Sequence, residues 1–321
     1  MGIADICRAG IGLFTSRPPY WLGHTGGMTH TPDILCIGSV LWDIIGRGDT
    51  VMRQGSDMPG RITRLPGGVA LNIAMALARF GLSPALISAV GRDPEGDELI
   101  AACKLRGLHT DHVYRSDDLP TDRYMAVEGT NGLIAAIADA HSLEAAGDKI
   151  LRPFEDGSLP TPYRGAVALD GNLTLDLLSQ MARSPLLEHA DLRVAPASPG
   201  KALRLAPFLQ AERGTLYVNL EEAGLLCQAT FDSSRDAAAA LLARGAVRAV
   251  VTDGGNPATV GAPSGLITQD PPPVSVTRVT GAGDTFMAAH IAAEIKGAAP
   301  DAALTQALSA AAQYVSGETK I

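Results

Sequence analysis

Cysteine is scarce in this 321-residue sequence, and the four cysteines form no pattern that indicates pairing. Cys7, Cys36, Cys103 and Cys227 are irregularly spaced, and none belongs to a C-x-x-C pair. We therefore expect neither a disulfide framework nor a zinc site, and a reducing cytoplasm is the simplest location. The sequence also lacks any apolar run near the roughly 20 residues of a membrane-spanning helix, so no membrane partner is expected.

Positive charge is too sparse for a nucleic-acid-binding protein. The 26 Lys and Arg residues are outnumbered by 34 Asp and Glu residues, which gives a net charge of −8. A nucleic-acid binder carries a basic surface, so that class is excluded, whereas a small phosphorylated ligand needs only a local positive field. The composition, 46% hydrophobic and 19% charged, is typical of a soluble globular protein with one large α/β domain or two small ones.

Several enzyme motifs are also missing. There is no G-x-x-x-x-G-K-[ST] and no H-R-D catalytic loop, which excludes P-loop kinases and protein kinases. Phe286 stands where a G-x-G-x-x-G motif needs its third glycine, so a dinucleotide site is not supported. The seven histidines show no metal-ligand spacing and are interpreted as surface or structural residues. Residues 1–30 carry no convincing signal peptide, and we expect a disordered extension, with Met28 as an alternative start.

Short apolar runs alternate with helical patterns along most of the chain. The strand-like runs are residues 33–38, 85–90, 165–170, 191–195, 215–219 and 246–252, and the helical ones are 69–80, 97–106, 173–183, 201–210 and 234–244. This alternation predicts an α/β fold with a mostly parallel sheet covered on both faces. Residues 145–164 contain three prolines and are predicted to be a loop.

Two segments, about 46–64 and 112–140, interrupt the alternation with strand-like stretches and no helix between them. Residues 129–132 (Gly-Thr-Asn-Gly) contain an Asn-Gly pair, which is a strong hairpin signal. Two interpretations remain open. The segments form separate surface hairpins, or they join into one small antiparallel sheet that acts as a lid over the site.

The most informative stretch is residues 279–286 (Val-Thr-Gly-Ala-Gly-Asp-Thr-Phe), which leads into an apolar-periodic helix. Glycines at a helix entrance let the backbone approach a ligand, and the free N–H groups of the first turn form an anion hole suited to phosphate. Asp284 is either an ordinary helix-capping aspartate or a base that takes the proton of an alcohol attacking a γ-phosphate. We therefore predict phosphoryl transfer to an alcohol.

Other polar residues follow predicted strands. Gly67-Gly68 opens the helix that carries Asn72, and this cluster is either an ordinary strand-to-helix turn or a polyol site. Asp43, in a predicted loop, either is solvated or accepts two hydroxyl hydrogen bonds. Asn219 and Glu222 end another strand; Glu222 is interpreted either as a helix-initiating acid or as a Mg²⁺ ligand acting through water.

These residues together resemble the ribokinase-like (PfkB) carbohydrate kinases over residues 32–318. The resemblance implies a three-layer α/β/α core with a β-sheet lid, comprising residues 31–321, and phosphorylation of a primary hydroxyl with ATP and Mg²⁺. It assigns the general base to Asp284, the anion hole to Gly281, Ala282 and Gly283, Mg²⁺ and phosphate contacts to Asn219 and Glu222, nucleotide contacts to Thr252 and Gly254, and hydroxyl contacts to Asp43, Gly68 and Asn72. It also admits a homodimer formed through the lid.

Within this family the sequence is most similar to pseudouridine kinases. The similarity rests on Arg278 before Val-Thr-Gly, on the Ala-rich run at 135–140 and on Leu-Asp-Gly-Asn-Leu at 169–173, where Asn172 is expected to add a substrate contact. Pseudouridine, phosphorylated at its 5′-hydroxyl, is the implied substrate. A free sugar (ribose, fructose or 2-keto-3-deoxygluconate) is the alternative, and a non-catalytic ligand-binding regulator on the same fold is a third interpretation.

Overall fold

The computed structural model of the protein describes residues 31–53 and 55–318. The expectations for residues 1–30, including a start at Met28, lie outside the described residues. The strands are β1 (Ile34–Ile37), β2 (Leu41–Arg47), β3 (Arg61–Gly67), β4 (Pro84–Ile87), β5 (Ala89–Gly91), β6 (Tyr114–Ser116), β7 (Arg123–Gly129), β8 (Gly132–Asp139), β9 (Ala166–Asp170), β10 (Asp191–Ala195), β11 (Thr215–Asn219), β12 (Arg248–Asp253), β13 (Asn256–Ala262) and β14 (Gly265–Gln269).

The α-helices pack on both sides of these strands. They are α1 (Val69–Arg79), α2 (Pro94–Leu105), α3 (His141–Ala146), α4 (Arg152–Glu155), α5 (Leu175–Arg183), α6 (Ala206–Gln210), α7 (Leu220–Cys227), α8 (Ser234–Ala243), α9 (Ala282–Ile295) and α10 (Pro300–Val315). Several of these helices begin at a residue whose side chain accepts a free backbone N–H of the first turn. The Asp93 carboxylate, for example, accepts the Gly96 N–H at 2.7 Å before α2.

Within the described residues, eight strands form the main sheet in the order β14-β13-β12-β11-β10-β9-β1-β4. The pairs from β12 to β4 are parallel, and β13 and β14 add an antiparallel edge. Successive residues of β1 enter opposite cores, with Leu35 and Ile37 in one and Ile34 and Cys36 in the other. The sheet is therefore covered on both faces, and the predicted three-layer α/β/α fold is confirmed.

The smaller sheet has the order β3-β2-β7-β8, so the two interrupting segments do join into one sheet. The β7–β8 hairpin turns where the Asn-Gly pair predicts it, with Gly129 opposite Gly132. The prediction of a purely antiparallel sheet is wrong, because β2 and β7 are parallel. The Trp42 N–H donates to the Asp122 carbonyl at 3.2 Å, so both strands start side by side and run in the same direction. This sheet also begins earlier than the predicted lid segment, at Leu41.

The prediction of a loop at residues 145–164 is also wrong. Its first half holds the end of α3, a 3-10 helix (Gly147–Leu151) and α4. Ile150, Leu151 and Phe154 are buried there, so this segment packs against the main core rather than crossing the surface. Pro153 lies in the first turn of α4, where no backbone N–H is needed, and it therefore does not break the helix.

Smaller differences concern element boundaries. The apolar run at 85–90 forms two strands separated by Ser88, and the second, β5, pairs with β6 in a two-stranded sheet outside the lid. The helix predicted at 201–210 is a 3-10 helix (Pro199–Leu205) followed by the short α6. None of the helices in the described part of the chain is long and apolar enough to cross a membrane.

Candidate active site

A cavity of about 660 Å³ lies at the carboxyl ends of the parallel strands, beneath the small sheet. Ligands of open α/β folds bind at this edge, and the volume is in the usual range for small-molecule sites. The sequence-predicted residues that line it are Asp43, Gly68, Asn72, Asn172, Asn219, Glu222, Thr252, Gly281, Gly283 and Asp284. Residues from distant parts of the chain therefore meet in one place. Ala282 and Gly254 do not line it.

Asp284 lies in the first turn of α9, but its carboxylate is not used to cap the helix. Gly281 is the N-cap residue, and no side-chain capping bond is present. The Asp284 Oδ2 instead accepts a hydrogen bond from Nδ2 of Asn72 at 3.0 Å. The structure thus joins the residue predicted as the base to a residue predicted to contact the acceptor.

The ionisation of Asp284 is strongly altered by its surroundings. Burial raises its pKa from 3.8 to about 7; the Asn72 hydrogen bond opposes this shift, and the nearby charges of Asp170 and Asp43 add to it. Burial also raises the pKa of Asp43 to about 6. A carboxyl group that titrates near neutral pH is well matched to accepting a proton during catalysis.

The turn before α9 explains why glycine stands at two positions. Gly281 has φ +87°, and a Cβ there would lie 2.5 Å from the Tyr314 hydroxyl oxygen. A Cβ on Gly283 would meet nothing within 4 Å, and Gly283 lines the cavity, so the missing side chain leaves room for a ligand. The first-turn amides of Gly283 and Asp284 lie at the positive end of the helix dipole, where an anion is favoured.

The expectation for Ala282 is not met. Its N–H donates to the Val279 carbonyl at 3.0 Å, which closes the turn and leaves this amide unavailable to a phosphate. The alternation of small residues in the motif did not reveal this, because only the three-dimensional turn decides which N–H points inward. The Ala282 amide is therefore satisfied within the turn, and an anion hole at this helix start stays a prediction.

Asp43 is part of β2 and not of a loop, so the interpretation as a solvated loop residue is wrong. Its carboxylate lies across from Gly67, where a Cβ would come within 2.1 Å of Oδ2. Gly68 has φ +96° and approaches the Ser39 carbonyl so closely that a Cβ would be 2.5 Å away. The absence of side chains at these two glycines lets the start of α1 approach β2 and the Asp43 carboxylate closely.

A buried hydrogen-bond network lies beneath the site, and no sequence motif indicates it. Asp170, with no exposed surface, accepts hydrogen bonds from the Ser39 N–H (2.7 Å), the Ser39 hydroxyl (2.6 Å) and the Ala70 N–H (3.1 Å). The Ser39 Oγ in turn accepts the Val69 N–H at 2.8 Å. The network ties β1, β9 and the N-terminus of α1 together, so it fixes the helix that carries Asn72. The signal for it was an aspartate at the carboxyl end of a buried strand.

Lys201 was also missed. It is the only lysine or arginine among the described residues that line the cavity. Its ammonium group donates to Oδ1 of Asn172, and Nδ2 of Asn172 donates to the Ser39 Oγ at 2.9 Å. Burial, and then the charge of Arg204, lowers the pKa of Lys201. This cation therefore faces a cavity that is also lined by Asp43, Asp284 and Glu222.

Asn219 and Glu222 form a capping box at the start of α7. The Asn219 side chain accepts the Glu222 N–H, and Oε2 of Glu222 accepts the Asn219 N–H, both at 2.8 Å. Glu222 therefore caps the start of α7 through one carboxylate oxygen, and its role as a Mg²⁺ ligand stays a prediction. Burial raises its pKa to about 7, with the Asn219 bond opposing the shift and Glu221 adding to it. Its other carboxylate oxygen has no side-chain or backbone donor in this box.

Mg²⁺ fits this arrangement as an ion held mainly by water and phosphate. Within the described residues, no group of three or more His, Cys, Asp or Glu side chains is arranged to hold a metal. Mg²⁺ commonly binds through one or two carboxylates and keeps several waters, so a single carboxylate such as that of Glu222 is compatible with this ion.

Of the two residues predicted to contact the nucleotide, Thr252 and Gly254, only Thr252 lines the cavity. Thr252 lies in β12 opposite Asn219 of β11 and lines the cavity. Gly254, with φ +55°, lies in the turn between β12 and β13, outside the cavity lining. A nucleotide contact by Gly254 stays a prediction.

Comparison with known sequences decides the family. The model of the pfkB family carbohydrate kinases matches residues 31–319. The chain belongs to this family. A pseudouridine kinase of Escherichia coli (strain K12) is 28% identical over 260 residues, which is 79% of this chain and 81% of that protein. The ribokinase of Bacillus subtilis (strain 168) is 25% identical over 287 residues, or 88% of this chain and 92% of that protein.

Another relative of this pfkB-family chain is an uncharacterized sugar kinase of Escherichia coli, YeiI, which is 28% identical over 65% of this chain. This chain spans 56% of that kinase's length. A solved carbohydrate kinase from Agrobacterium tumefaciens has 26% identity and a TM-score of 0.74, covering 88% of this chain and 90% of that one. The predicted enzyme class, a phosphotransferase with an alcohol acceptor, is the class of this family.

Proposed function

We propose that the protein transfers the γ-phosphoryl group of ATP to the 5′-hydroxyl of a nucleoside, with pseudouridine as the acceptor. The observation that carries this proposal is the hydrogen bond between Asn72 and Asp284, 3.0 Å long. It joins α1, which begins at the predicted hydroxyl-binding turn, to α9, which begins at the predicted phosphate-binding turn. A base that lies between two such turns can deprotonate an alcohol where a phosphoryl group arrives.

The chain's own residues divide the work as follows. Asp43 and Asn72 hold the ribose hydroxyls, while Asp284 accepts the proton of the 5′-hydroxyl. The amides of Gly283 and Asp284 donate to the phosphoryl oxygens as negative charge develops there. Lys201 supplies the positive charge that faces the phosphates. Glu222 holds Mg²⁺ through water, and the ion neutralises phosphate charge when it is bound.

The lid sheet completes the site in this proposal. Tyr124 and Ala138, on neighbouring lid strands, line the same cavity as Asp284. A bound nucleoside would place its base beneath these strands, where water is excluded and wasteful ATP hydrolysis is limited. A cytoplasmic location and a homodimer formed through the lid stay predictions.

The choice of acceptor rests on the relatives. The pseudouridine kinase of Escherichia coli supports a nucleoside, and the ribokinase of Bacillus subtilis supports free ribose. The support for ATP comes from an Arabidopsis thaliana ribokinase whose structure contains ribose and ATP; it has 22% identity and a TM-score of 0.74, covering 90% of this chain and 94% of that one. At this identity the likeness itself shows the fold alone.

An acceptor panel tests the proposal. The protein is incubated with ATP and Mg²⁺ and, separately, with pseudouridine, uridine, ribose, fructose and 2-keto-3-deoxygluconate, and ADP release is followed by a coupled assay. Pseudouridine is expected to give the highest kcat/KM, with phosphate on the 5′-oxygen by mass spectrometry. Preference for a free sugar would replace the nucleoside with that sugar. ATP binding with no acceptor-dependent ADP release would favour the non-catalytic regulator.

A further inference from the structure

Tyr314, in the last turn of α10, lies directly against the turn that precedes α9. It is 8% exposed, and its hydroxyl donates to the Thr280 carbonyl at 2.9 Å. The same hydroxyl oxygen occupies the space that a Cβ on Gly281 would need, at a distance of 2.5 Å. The shape of the turn and the position of the phenol therefore depend on each other.

Arg278 holds Tyr314 in this position from the other side. Its guanidinium carbon lies 3.9 Å from the centroid of the Tyr314 ring, and its Nε donates to the Tyr314 carbonyl at 2.7 Å. A cation over an aromatic face is attracted by the ring, and a cation is also favoured at the C-terminus of a helix, where carbonyls lack intrahelical partners. Arg278 makes both kinds of contact with one residue.

The backbone on either side closes a loop around these two side chains. The N–H groups of Thr277 and Arg278 both donate to the Val315 carbonyl, at 2.8 and 3.2 Å. Thr280, whose carbonyl accepts the hydrogen bond of the Tyr314 hydroxyl, lies only two residues after Arg278. The segment that enters the turn is thus fixed to the end of α10 before the turn and within it.

We propose that Arg278 and Tyr314 are positioning residues that hold the turn at 279–283 in the shape that presents Gly283 and Asp284 to the phosphoryl group. This inference rests on the proposed function. Neither side chain lines the cavity, so both act through the turn and not on the substrate. Small displacements of a reacting group are costly, since about 1 Å can reduce the rate about a hundredfold.

A double-mutant cycle tests the proposal. Tyr314→Phe removes the hydroxyl, and we expect kcat to fall about tenfold while the dissociation constant of the acceptor, measured by calorimetry, stays within about twofold. Gly281→Ala places a methyl group against the Tyr314 hydroxyl, in a backbone conformation (φ +87°) that also strains alanine, and should lower kcat further. In the double variant the hydroxyl is gone, so the loss in kcat should be smaller than the product of the two single losses. Multiplicative losses, or wild-type kcat in Tyr314→Phe, would overturn the proposal.

A second series stays informative if Gly281→Ala does not fold. Arg278→Lys keeps a cation but loses the planar group that stacks on the ring, so its kcat should fall between wild type and Arg278→Ala. Tyr163→Phe, which removes a phenol hydroxyl in the main core, is the matched control and should keep its kcat. Equal kcat in both Arg278 variants and wild type would also overturn the proposal.

The two proposals fail in different ways. If the wild-type protein phosphorylates no acceptor, the proposed function fails, and the positioning role is then judged by affinity for a non-hydrolysable ATP analogue with Mg²⁺. Calorimetry should show weaker binding of the analogue to Tyr314→Phe than to Tyr163→Phe. Equal affinities of these two variants would reject the positioning role in that case.

Discussion

Asn72 donates a hydrogen bond from Nδ2 to Oδ2 of Asp284 at 3.0 Å, although 212 residues separate the two in the chain. The bond favours the ionised form of Asp284, whereas burial favours the neutral form and is the larger effect. The balance leaves the pKa of this carboxyl at about 7. The acceptor-side helix thus adjusts the proton affinity of the group that we propose as the base.

The pH dependence of turnover follows from this pKa. Asp284 must be ionised to accept a proton, so kcat/KM for the acceptor should rise as the pH is raised from 5 and level off above about 7. Asn72→Ala removes the bond that lowers the pKa, so the midpoint should move to higher pH. Steady-state kinetics between pH 5 and 9 measure the midpoint of the kcat/KM profile for wild type and for Asn72→Ala. A profile that is flat across this range would contradict the assignment of the base.

The same pKa shift predicts how Asp284 affects stability. The folded-state pKa of Asp284 (about 7) lies above the unfolded value (3.8). The contribution of this group to the free energy of unfolding is therefore fully present below pH 4 and is lost as the pH rises through 7. Asp284→Asn removes the buried charge. Its free energy of unfolding in urea should therefore exceed that of wild type at pH 8, and this difference should shrink towards pH 4.

Asp111→Asn, at an exposed position, is the control for this effect. Its stability should follow that of wild type at both pH values. Lower stability of Asp284→Asn than of wild type at pH 8 would contradict this prediction, because the carboxylate would then contribute bonds to the folded state that outweigh its burial.

Asp43 should affect the acceptor more than the nucleotide. Asp43→Asn keeps the size of the side chain but removes the charge that strengthens hydrogen bonds to hydroxyls, a loss of about 1.5–3 kcal/mol. KM for the acceptor should therefore rise about 10- to 100-fold, with KM for ATP changed little. Initial rates with each substrate varied in turn measure this difference. Equal increases in both KM values would place Asp43 outside the acceptor site.

Lys201 should affect the nucleotide side. Lys201→Met retains most of the apolar stem but removes the only cation among the described lining residues, so KM for ATP should rise and kcat should fall about tenfold or more. The matched control is Lys149→Met, because Lys149 is exposed and lies outside the cavity lining. Wild-type kinetics in Lys201→Met would show that the phosphates do not need this side chain.

Much of the fold could be predicted from the sequence because its signals are local. The buried strands and amphipathic helices of the core depend on apolar periodicity, and the Asn-Gly pair fixes the β7–β8 hairpin. The direction in which β2 and β7 pair is not local, since it depends on where both strands leave the core. The loop prediction for residues 145–164 is wrong for a related reason. The prolines are a local signal for a loop, whereas the burial of Ile150 and Phe154 depends on distant parts of the chain.

The site shows the same division. Asp284 and Asn72 stand in motifs that can be found by spacing, although only the fold shows that they touch. Lys201 and Ser39 lie outside any motif, and their importance comes from what the strand ends bring beside them. Ala282 and Gly254 belong to motifs, yet neither is among the residues that line the cavity. Sequence spacing therefore predicts the residues near the site better than it predicts their orientation.

The most direct test of the account is single-turnover phosphoryl transfer by the wild-type protein and by Asp284→Asn, with acceptor binding measured by calorimetry on the same preparations. The rate of transfer is expected to fall about 10²- to 10⁴-fold in Asp284→Asn while the acceptor still binds. A transfer rate close to wild type would contradict it, because the proton of the alcohol would then be taken by another group.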